Sequence, residues 1–289
     1  MNRQQPRTYL PERIEGPDFE YVRGLVKEHT AISLDTSKIY LISARLLPVA
    51  RANRFATVLD LIRHMKTHPF GELHWQAVES IVTTETSFFR DFFPFEALQQ
   101  EIIPEVIDRE RNRTRTLSIW SAGCSSGQEP FSIAMMLREH FPELASWNVR
   151  ILASDVSKSM LDRAQVGTYS QIEINRGLPA SLLVKYFEQE GNNWRVSNEI
   201  RRMVTFFQHN LVRDYPNLPP VDVLLMRNVL IYFDVDTKRL ILDRVRRHLR
   251  PSGLLVLGTA ETTLNLDQRF ERVRIRRAVF YRSGREKER

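Results

Sequence analysis

Between Pro17 and Val82 apolar side chains recur at helical spacing. Phe19, Val22, Leu25 and Val26 fall on one face, and Phe55, Val58, Leu59, Ile62 and Met65 repeat at i, i+3, i+4, i+7 and i+10. Thr57 followed by Asp60 supplies an N-terminal cap for the second run, and Trp75, Val78 and Val82 place another helix over about Gly71 to Val82. Nothing between residues 17 and 82 alternates as a strand does, so the pattern predicts an all-helical unit. Pro48 predicts a kink or a stop within it, because a mid-helix proline removes a hydrogen bond and crowds the preceding turn.

After Arg113 the pattern changes. Short β-rich runs alternate with amphipathic stretches: Thr116 to Ser121, a helix from about Glu129 to Phe141, Val149 to Ser154, and a helix from Lys158 to Gln165 closed by Gly167. The alternation continues through Val204 to His209, Val221 to Met226, a helix from about Asp236 to Leu249, and Leu254 to Leu257 after the turn Pro251-Ser252-Gly253. Such βαβα order predicts an α/β fold with a doubly wound, Rossmann-like parallel sheet whose ligand lies beyond the carboxyl ends of its strands. The runs near Phe270 to Val273 and Val279 to Arg282 lack an intervening helix and predict an antiparallel edge. The expected division is a flexible tail over 1–16, a helical domain over 17–85, an α/β domain over 86–282 with a small β insertion at about 171–202, and a second tail over 283–289.

Composition narrows the chemistry. A chain of 289 residues, 42% hydrophobic, can bury one large core or two unequal ones. Cys124 is the only cysteine, which excludes an internal disulfide and a cysteine metal cluster. His64 and His68 stand at i, i+4, but no acidic residue completes a metal site, so surface decoration is expected and no metal. No apolar run is long enough to cross a bilayer and no signal-peptide pattern opens the chain, so the expectation is a cytoplasmic protein without membrane insertion. A formal charge of +7 predicts attraction to acidic partners without choosing among nucleic acid, anionic lipid and a carboxylate-rich protein.

Candidate chemistry gathers at strand tips. The first α/β strand runs into Ser121-Ala122-Gly123-Cys124-Ser125-Ser126-Gly127, whose small side chains either admit a cofactor to the backbone and helix N-terminus or form an ordinary strand-to-helix turn. Cys124 reads as a packing residue, since no histidine lies near it in sequence. The second strand ends in Asp155, placed either to accept the hydroxyls of a ribose or to cap the next helix. The loop lacks the GxGxxG of dinucleotide enzymes, so adenosine without a second nucleotide fits better. The fourth strand delivers Arg227-Asn228 at its tip, then Tyr232 and Phe233. The Asn/Asp-Pro-Pro-aromatic motif of DNA amino-methyltransferases is missing there, and Asn217-Leu218-Pro219-Pro220 precedes the strand. Between the domains, Thr83 to Asp91 carries Phe88 and Phe89, which either close over a ligand or staple the domains together.

Taken together, Thr84-x-Thr86-x-Phe88-Phe89-Arg90, Trp120-Ser121-Ala122 to Ser126-Gly127-Gln128-Glu129-Pro130, Ala153-Ser154-Asp155, Asn210-Leu211 and Arg227-Asn228-Val229-x-Ile231-Tyr232-Phe233 resemble the bacterial chemotaxis receptor glutamate O-methyltransferases from about residue 17 to 282. The resemblance implies S-adenosylmethionine as cofactor, S-adenosylhomocysteine as its product, and a glutamate γ-methyl ester on the receptor's cytoplasmic coiled coil. It implies cofactor contacts at Thr84, Thr86, Arg90, Glu129, Asp155, Asn210, Leu211, Arg227 and Asn228, with Arg90 and Tyr232 nearest the transferred methyl. Thr84 stands where the family often has Asn, and Gln128 where an acidic pair is common; both bear on single contacts.

Phe88, Phe89, Tyr232 and Phe233 suit a partly dry pocket. Lys38 and Arg45, seven apart, with Arg51 and Arg54 beyond, would give the helical domain a basic docking surface for a Glu-rich coiled coil. A monomer that binds no nucleic acid is expected. Some family members bind a receptor-tail peptide through a longer, Gly-rich loop in the β insertion; Tyr186 to Val196, with Gly191 alone in a short turn, is expected to leave no room for one. The rival readings are a methyltransferase acting on nucleic acid or a small molecule, and a non-catalytic S-adenosylmethionine-binding adaptor.

Overall fold

A computed structural model describes residues 14–35, 39–215 and 218–284. Of the tails expected at 1–16 and 283–289, residues 1–13 and 285–289 lie outside the described residues, as does Lys38, and Ser283 closes the last strand. The chain divides into two compact units, Met1–Thr83 and Thr84–Arg289.

In the first unit the described residues form four helices: α1 (Pro17–Thr30), α2 (Ile39–Ala52), α3 (Val58–Thr67) and α4 (Glu72–Ile81). Their apolar stripes are buried, with Phe19, Val22 and Val26 from α1, Ile42 and Leu46 from α2, Leu61, Ile62 and Met65 from α3, and Val78 from α4. Thr57 caps α3 by accepting the Asp60 N–H at 3.0 Å. Pro48 does not end α2, which continues to Ala52; the buried Leu46 and Ala50 on either side anchor the helix across it. Arg45 differs from expectation too. Its guanidinium donates to the Ile81 carbonyl and, at 3.4 Å, to the Thr83 hydroxyl, so it satisfies the carboxyl end of α4 instead of standing free for a partner. Arg51 and Arg54 are exposed.

The second unit opens with α5 (Phe93–Ala97), a π-helical turn (Leu98–Ile102) and α6 (Ile103–Glu110). It then alternates: β1 (Thr116–Ala122), α7 (Gln128–His140), β2 (Asn148–Asp155), α8 (Lys158–Val166), β3 (Thr168–Ser170), α9 (Gln171–Asn175), α10 (Ala180–Tyr186), β4 (Phe187–Glu190), β5 (Asn193–Val196), α11 (Asn198–Arg201) and β6 (Val204–Gln208). Next come β7 (Val221–Met226), α12 (Val235–His248), β8 (Leu249–Leu257), β9 (Phe270–Ile275) and β10 (Ala278–Ser283). The main sheet has the order β6-β2-β1-β7-β8-β10-β9, parallel except for β10 and β9. A three-stranded antiparallel sheet, β3-β5-β4, forms the insertion.

Strands buried on both faces must be apolar on both. In β7, Val223 and Leu225 join one core, and Leu224 and Met226 the other. The turn expected at Pro251-Ser252-Gly253 is instead part of β8, absorbed as an irregularity in its pairing with β7 between Val221 and Val223. The strand order reverses between β1 and β7, so the crevice beyond their carboxyl ends is where this architecture binds ligands.

Candidate functional site

The loop from β1 to α7 is shaped by glycines with no alternative. Gly123 has φ +78°, and a Cβ there would lie 2.5 Å from Val229 Cγ2; Gly127 has φ +93°, and its Cβ would lie 2.9 Å from that of Ala164. The loop is pinned from several sides. Gly123 and Cys124 donate their N–H groups to the Ser154 carbonyl at 2.8 and 2.9 Å, Tyr169 donates its hydroxyl to the Ser126 carbonyl at 2.6 Å, and Ser125 donates its hydroxyl to the Thr84 carbonyl at 2.6 Å. Cys124 is buried, and burial, reinforced by the Asp155 carboxylate, pushes its thiol well above the usual range, which suits packing and not nucleophilic attack.

Asp155, 9% exposed at the end of β2, accepts the Ser125 N–H at 2.8 Å on one oxygen and the Ser157 N–H at 2.9 Å on the other. Ser157, not Asp155, caps α8 by accepting the Met160 N–H. The carboxylate is therefore fixed in orientation, and a carboxylate oxygen can accept more than one hydrogen bond.

A second network joins β1, β7, α7 and the segment before α5. Glu129 accepts the Ser121 hydroxyl at 2.7 Å and an Arg227 N–H at 2.9 Å. Arg227, its side chain 2% exposed, also donates to the Arg90 carbonyl at 2.6 Å and the Asp91 carboxylate at 2.8 Å. The Arg227 guanidinium thus fixes Glu129 and the Arg90–Asp91 backbone, while its buried Nε has no partner among the described residues. That backbone is strained, since Phe89, Asp91 and Phe92 have φ of 47°, 62° and 35°. Arg90 itself is half-buried and donates to the Glu85 carbonyl at 3.1 Å.

Phe88 is fully buried in the core of the second unit, edge-on to Tyr169 at 5.1 Å and to Phe187 at 5.6 Å. Its burial anchors the start of the Phe89–Phe92 segment.

At the tip of β7, Asn228 has φ 58° and a buried Oδ1 with no hydrogen-bond partner. Tyr232 sits half-buried on the 3₁₀ turn Leu230–Tyr232, and its hydroxyl bonds to no described residue. Asn228 and the residue before Tyr232 are held by a residue that the sequence reading missed. Glu261, 8% exposed, accepts the N–H groups of Gly258 at 2.7 Å, Asn228 at 2.8 Å and Ile231 at 3.2 Å. Gly258 makes room: a Cβ there would lie 2.8 Å from the Asn228 nitrogen. The available signal was an acidic residue three positions past the carboxyl end of a core strand.

Asn210 accepts the Val212 N–H at 3.2 Å through its side chain, and Leu211 is buried. The histidine beside them, His209, donates its backbone N–H to the Asp155 carbonyl while its ring lies among Trp120, Phe207 and Tyr215. Burial first, then His248 and Arg244, lower its pKa from 6.5 to about 4. A depressed histidine contributes stability that is complete above pH 6.5 and is lost as pH falls toward 4, on the order of 3 kcal/mol. The melting temperature should therefore fall more steeply between pH 6.5 and 4.5 for the native chain than for His209→Phe; parallel pH profiles would remove His209 as the cause.

No cluster of three or more His, Cys, Asp or Glu among the described residues could hold a metal ion, and no described helix is long and apolar enough to cross a membrane.

Comparison with known proteins matches the two units separately. A family described as "CheR methyltransferase, all-alpha domain" matches residues 17–81, and one described as "CheR methyltransferase, SAM binding domain" matches residues 84–279. The chain is 37% identical over 271 residues to Chemotaxis protein methyltransferase 1 of Pseudomonas aeruginosa, covering 92% of this chain and 97% of that one. It is 36% identical to Chemotaxis protein methyltransferase Cher2 of Pseudomonas putida, over 92% and 98% of the two chains. Identity to Chemotaxis protein methyltransferase of Vibrio anguillarum is 35%, over 93% and 98%.

Proposed function

We infer the reaction from family membership: this chain belongs to the CheR methyltransferase family, and it is an S-adenosylmethionine-dependent methyltransferase of chemotaxis. Its methyl acceptor, in our reading, is the side-chain carboxylate of glutamates on the cytoplasmic coiled coil of chemotaxis receptors, giving γ-methyl esters. The enzyme acts as a cytoplasmic monomer. The observation that carries the reading is the succession of both family domains, 17–81 and 84–279, in one chain.

The site suits the cofactor. Asp155 offers an oriented carboxylate to a ribose, the small-residue loop at 123–127 permits close approach, and the unpartnered Asn228 Oδ1 supports a polar ligand. Thr84, Thr86, Arg90, Glu129, Asp155, Asn210, Leu211 and Asn228 are the residues assigned to hold it, with Arg227 acting through Glu129 and the Arg90–Asp91 backbone. When bound, S-adenosylmethionine supplies a methyl group on a positively charged sulfur.

The protein's part is alignment. A glutamate side chain has a reference pKa of ~4.3, so the nucleophile is already ionised at neutral pH and needs no base. The site is consistent with that, because His209 is buried and held neutral. Orienting the attacking oxygen falls to Tyr232, whose hydroxyl has no partner among the described residues, and to Arg90. Tyr232→Phe should slow turnover about tenfold while changing cofactor affinity by less than about twofold, the loss of one hydrogen bond made in the transition state. Normal turnover would make Tyr232 a packing residue.

The decisive assay is incubation with labelled S-adenosylmethionine and native receptor-bearing membranes. Alkali-released labelled methanol is the expected product; label retained in nucleic acid, or no transfer at all, would overturn the reading.

Docking is assigned to the exposed Arg51 and Arg54. Reversing both charges should raise the KM for receptor by about tenfold, as loss of two exposed charge pairs would, and leave cofactor affinity unchanged. The β4–β5 hairpin pairs Glu190 with Asn193 across a two-residue turn at Gly191, which supports docking without a receptor-tail peptide. Micromolar binding of an aromatic-rich tail pentapeptide would contradict that.

A further inference from the structure

An open cleft of about 870 Å³ lies in the second unit beyond the carboxyl end of β8. Its walls include the loop after β8, the β9–β10 hairpin and Phe93. Two of its lining residues belong to the networks already described: Asp91 pairs with Arg227, and Glu261 holds Asn228 and Ile231. The cleft therefore adjoins the two segments that flank the proposed methyl-transfer position.

Among the charged side chains of this cleft, only the arginines keep their hydrogen-bonding groups unengaged. Each of its three carboxylates is already engaged: Asp91 by Arg227 at 2.8 Å, Glu261 by three backbone N–H groups, and Asp267 by Arg269 at 2.7 Å. Its two arginines are not. Arg272 and Arg277 are exposed and have no carboxylate partner among the described residues, although the adjacent Arg276 pairs with Glu96 and Glu101. The Arg277 guanidinium lies 5.5 Å from the centre of the Phe93 ring, a contact that steadies the cation without using its N–H edges. Leu264, 72% exposed, stands at the same cleft. Two arginines without carboxylate partners among the described residues, beside an exposed apolar side chain, match an acidic, amphipathic helix better than a neutral or basic one.

We propose that this cleft is a substrate subsite in which Arg272 and Arg277 take a carboxylate of the protein substrate that flanks the glutamate being methylated. The proposal rests on the reading of the substrate as an acidic helical receptor segment. It adds a specificity determinant on the catalytic unit: among the glutamates of an acidic helix, those with a second carboxylate within reach of the cleft are preferred.

The test uses the full chain and a purified receptor cytoplasmic fragment, followed both by methyl-ester formation and by calorimetric binding. The double variant Arg272→Ala/Arg277→Ala should raise the receptor KM and Kd about tenfold, with kcat and the affinity for S-adenosylmethionine within about twofold of the native chain. Replacing the receptor's flanking glutamates by glutamine should weaken binding to the native chain by the same factor and leave the double variant unaffected. An unchanged KM and Kd in the double variant overturns the proposal, as does equal sensitivity of both proteins to the glutamine substitutions. Arginine-dependent binding without methyl-ester formation would instead sink the assigned reaction and leave the cleft standing.

Discussion

Asp155→Ala is expected to weaken S-adenosylmethionine binding by roughly 10- to 100-fold. A charge-assisted hydrogen bond to a ligand hydroxyl is worth about 1.5–3 kcal/mol, and each 1.4 kcal/mol is about a factor of ten in affinity. The structure adds a second cost, because the same carboxylate orders the loop. Alanine would leave the buried N–H groups of Ser125 and Ser157 without acceptors, and Ser125 is also the residue that ties Thr84 to the loop. The variant should therefore melt a few degrees lower as well as bind poorly. Asp155→Asn separates the two effects, since an amide keeps one acceptor oxygen but loses the charge: it should recover part of the melting temperature and little of the affinity. Calorimetry showing native affinity in either variant would refute the ribose assignment.

How much of this was legible in the sequence depends on distance along the chain. β1, β2 and β7 could be read to within two residues because strands buried on both faces are apolar runs bounded by polar tips. Three of the four helices of the first unit, α1, α3 and α4, were legible from their stripes, and the antiparallel edge from the missing helix between the last two runs. Pro48 misled because a proline within a helix counts locally as a break, while the core contacts that keep α2 continuous come from other helices. Arg45 misled in a similar way: spacing put it on a helix face, but its partners lie at the end of α4.

The candidate site was legible as motifs and not as networks. The resemblance pointed to Glu129, Arg227 and Asn228, yet their partners Asp91 and Glu261 carry no local signature. Each is an acidic side chain in a loop, indistinguishable by composition from solvated ones until the fold sets it against buried N–H groups. The left-handed backbone at Phe89, Asp91 and Phe92 is equally silent in sequence, because none of the three is the glycine that such a conformation usually requires.

Glu261→Gln should reduce kcat by tenfold or more and lower stability by about 1–3 kcal/mol. One carboxylate oxygen accepts from both Asn228 and Gly258, the other from Ile231, so no orientation of the amide can serve all three donors. At least one buried N–H loses its acceptor and faces an NH₂ group, and the turn that carries Tyr232 shifts.

A purely structural role would also lower stability, so the informative measurement is a double-mutant cycle. If Glu261 acts by placing the Tyr232 hydroxyl, removing that hydroxyl should cost about tenfold in the native background and almost nothing in Glu261→Gln, because the misplaced group no longer contributes. Additive losses would show that the two residues act independently. Gly258→Ala disturbs the same loop without removing the carboxylate: its Cβ would crowd the Asn228 nitrogen and the Glu261 Oε2, each at 2.8 Å. It should reproduce the loss in kcat and the insensitivity to Tyr232→Phe. Were Gly258→Ala to retain native turnover, the position of the β7 tip would not be what limits methyl transfer, and Glu261 would be reduced to a stabilising contact.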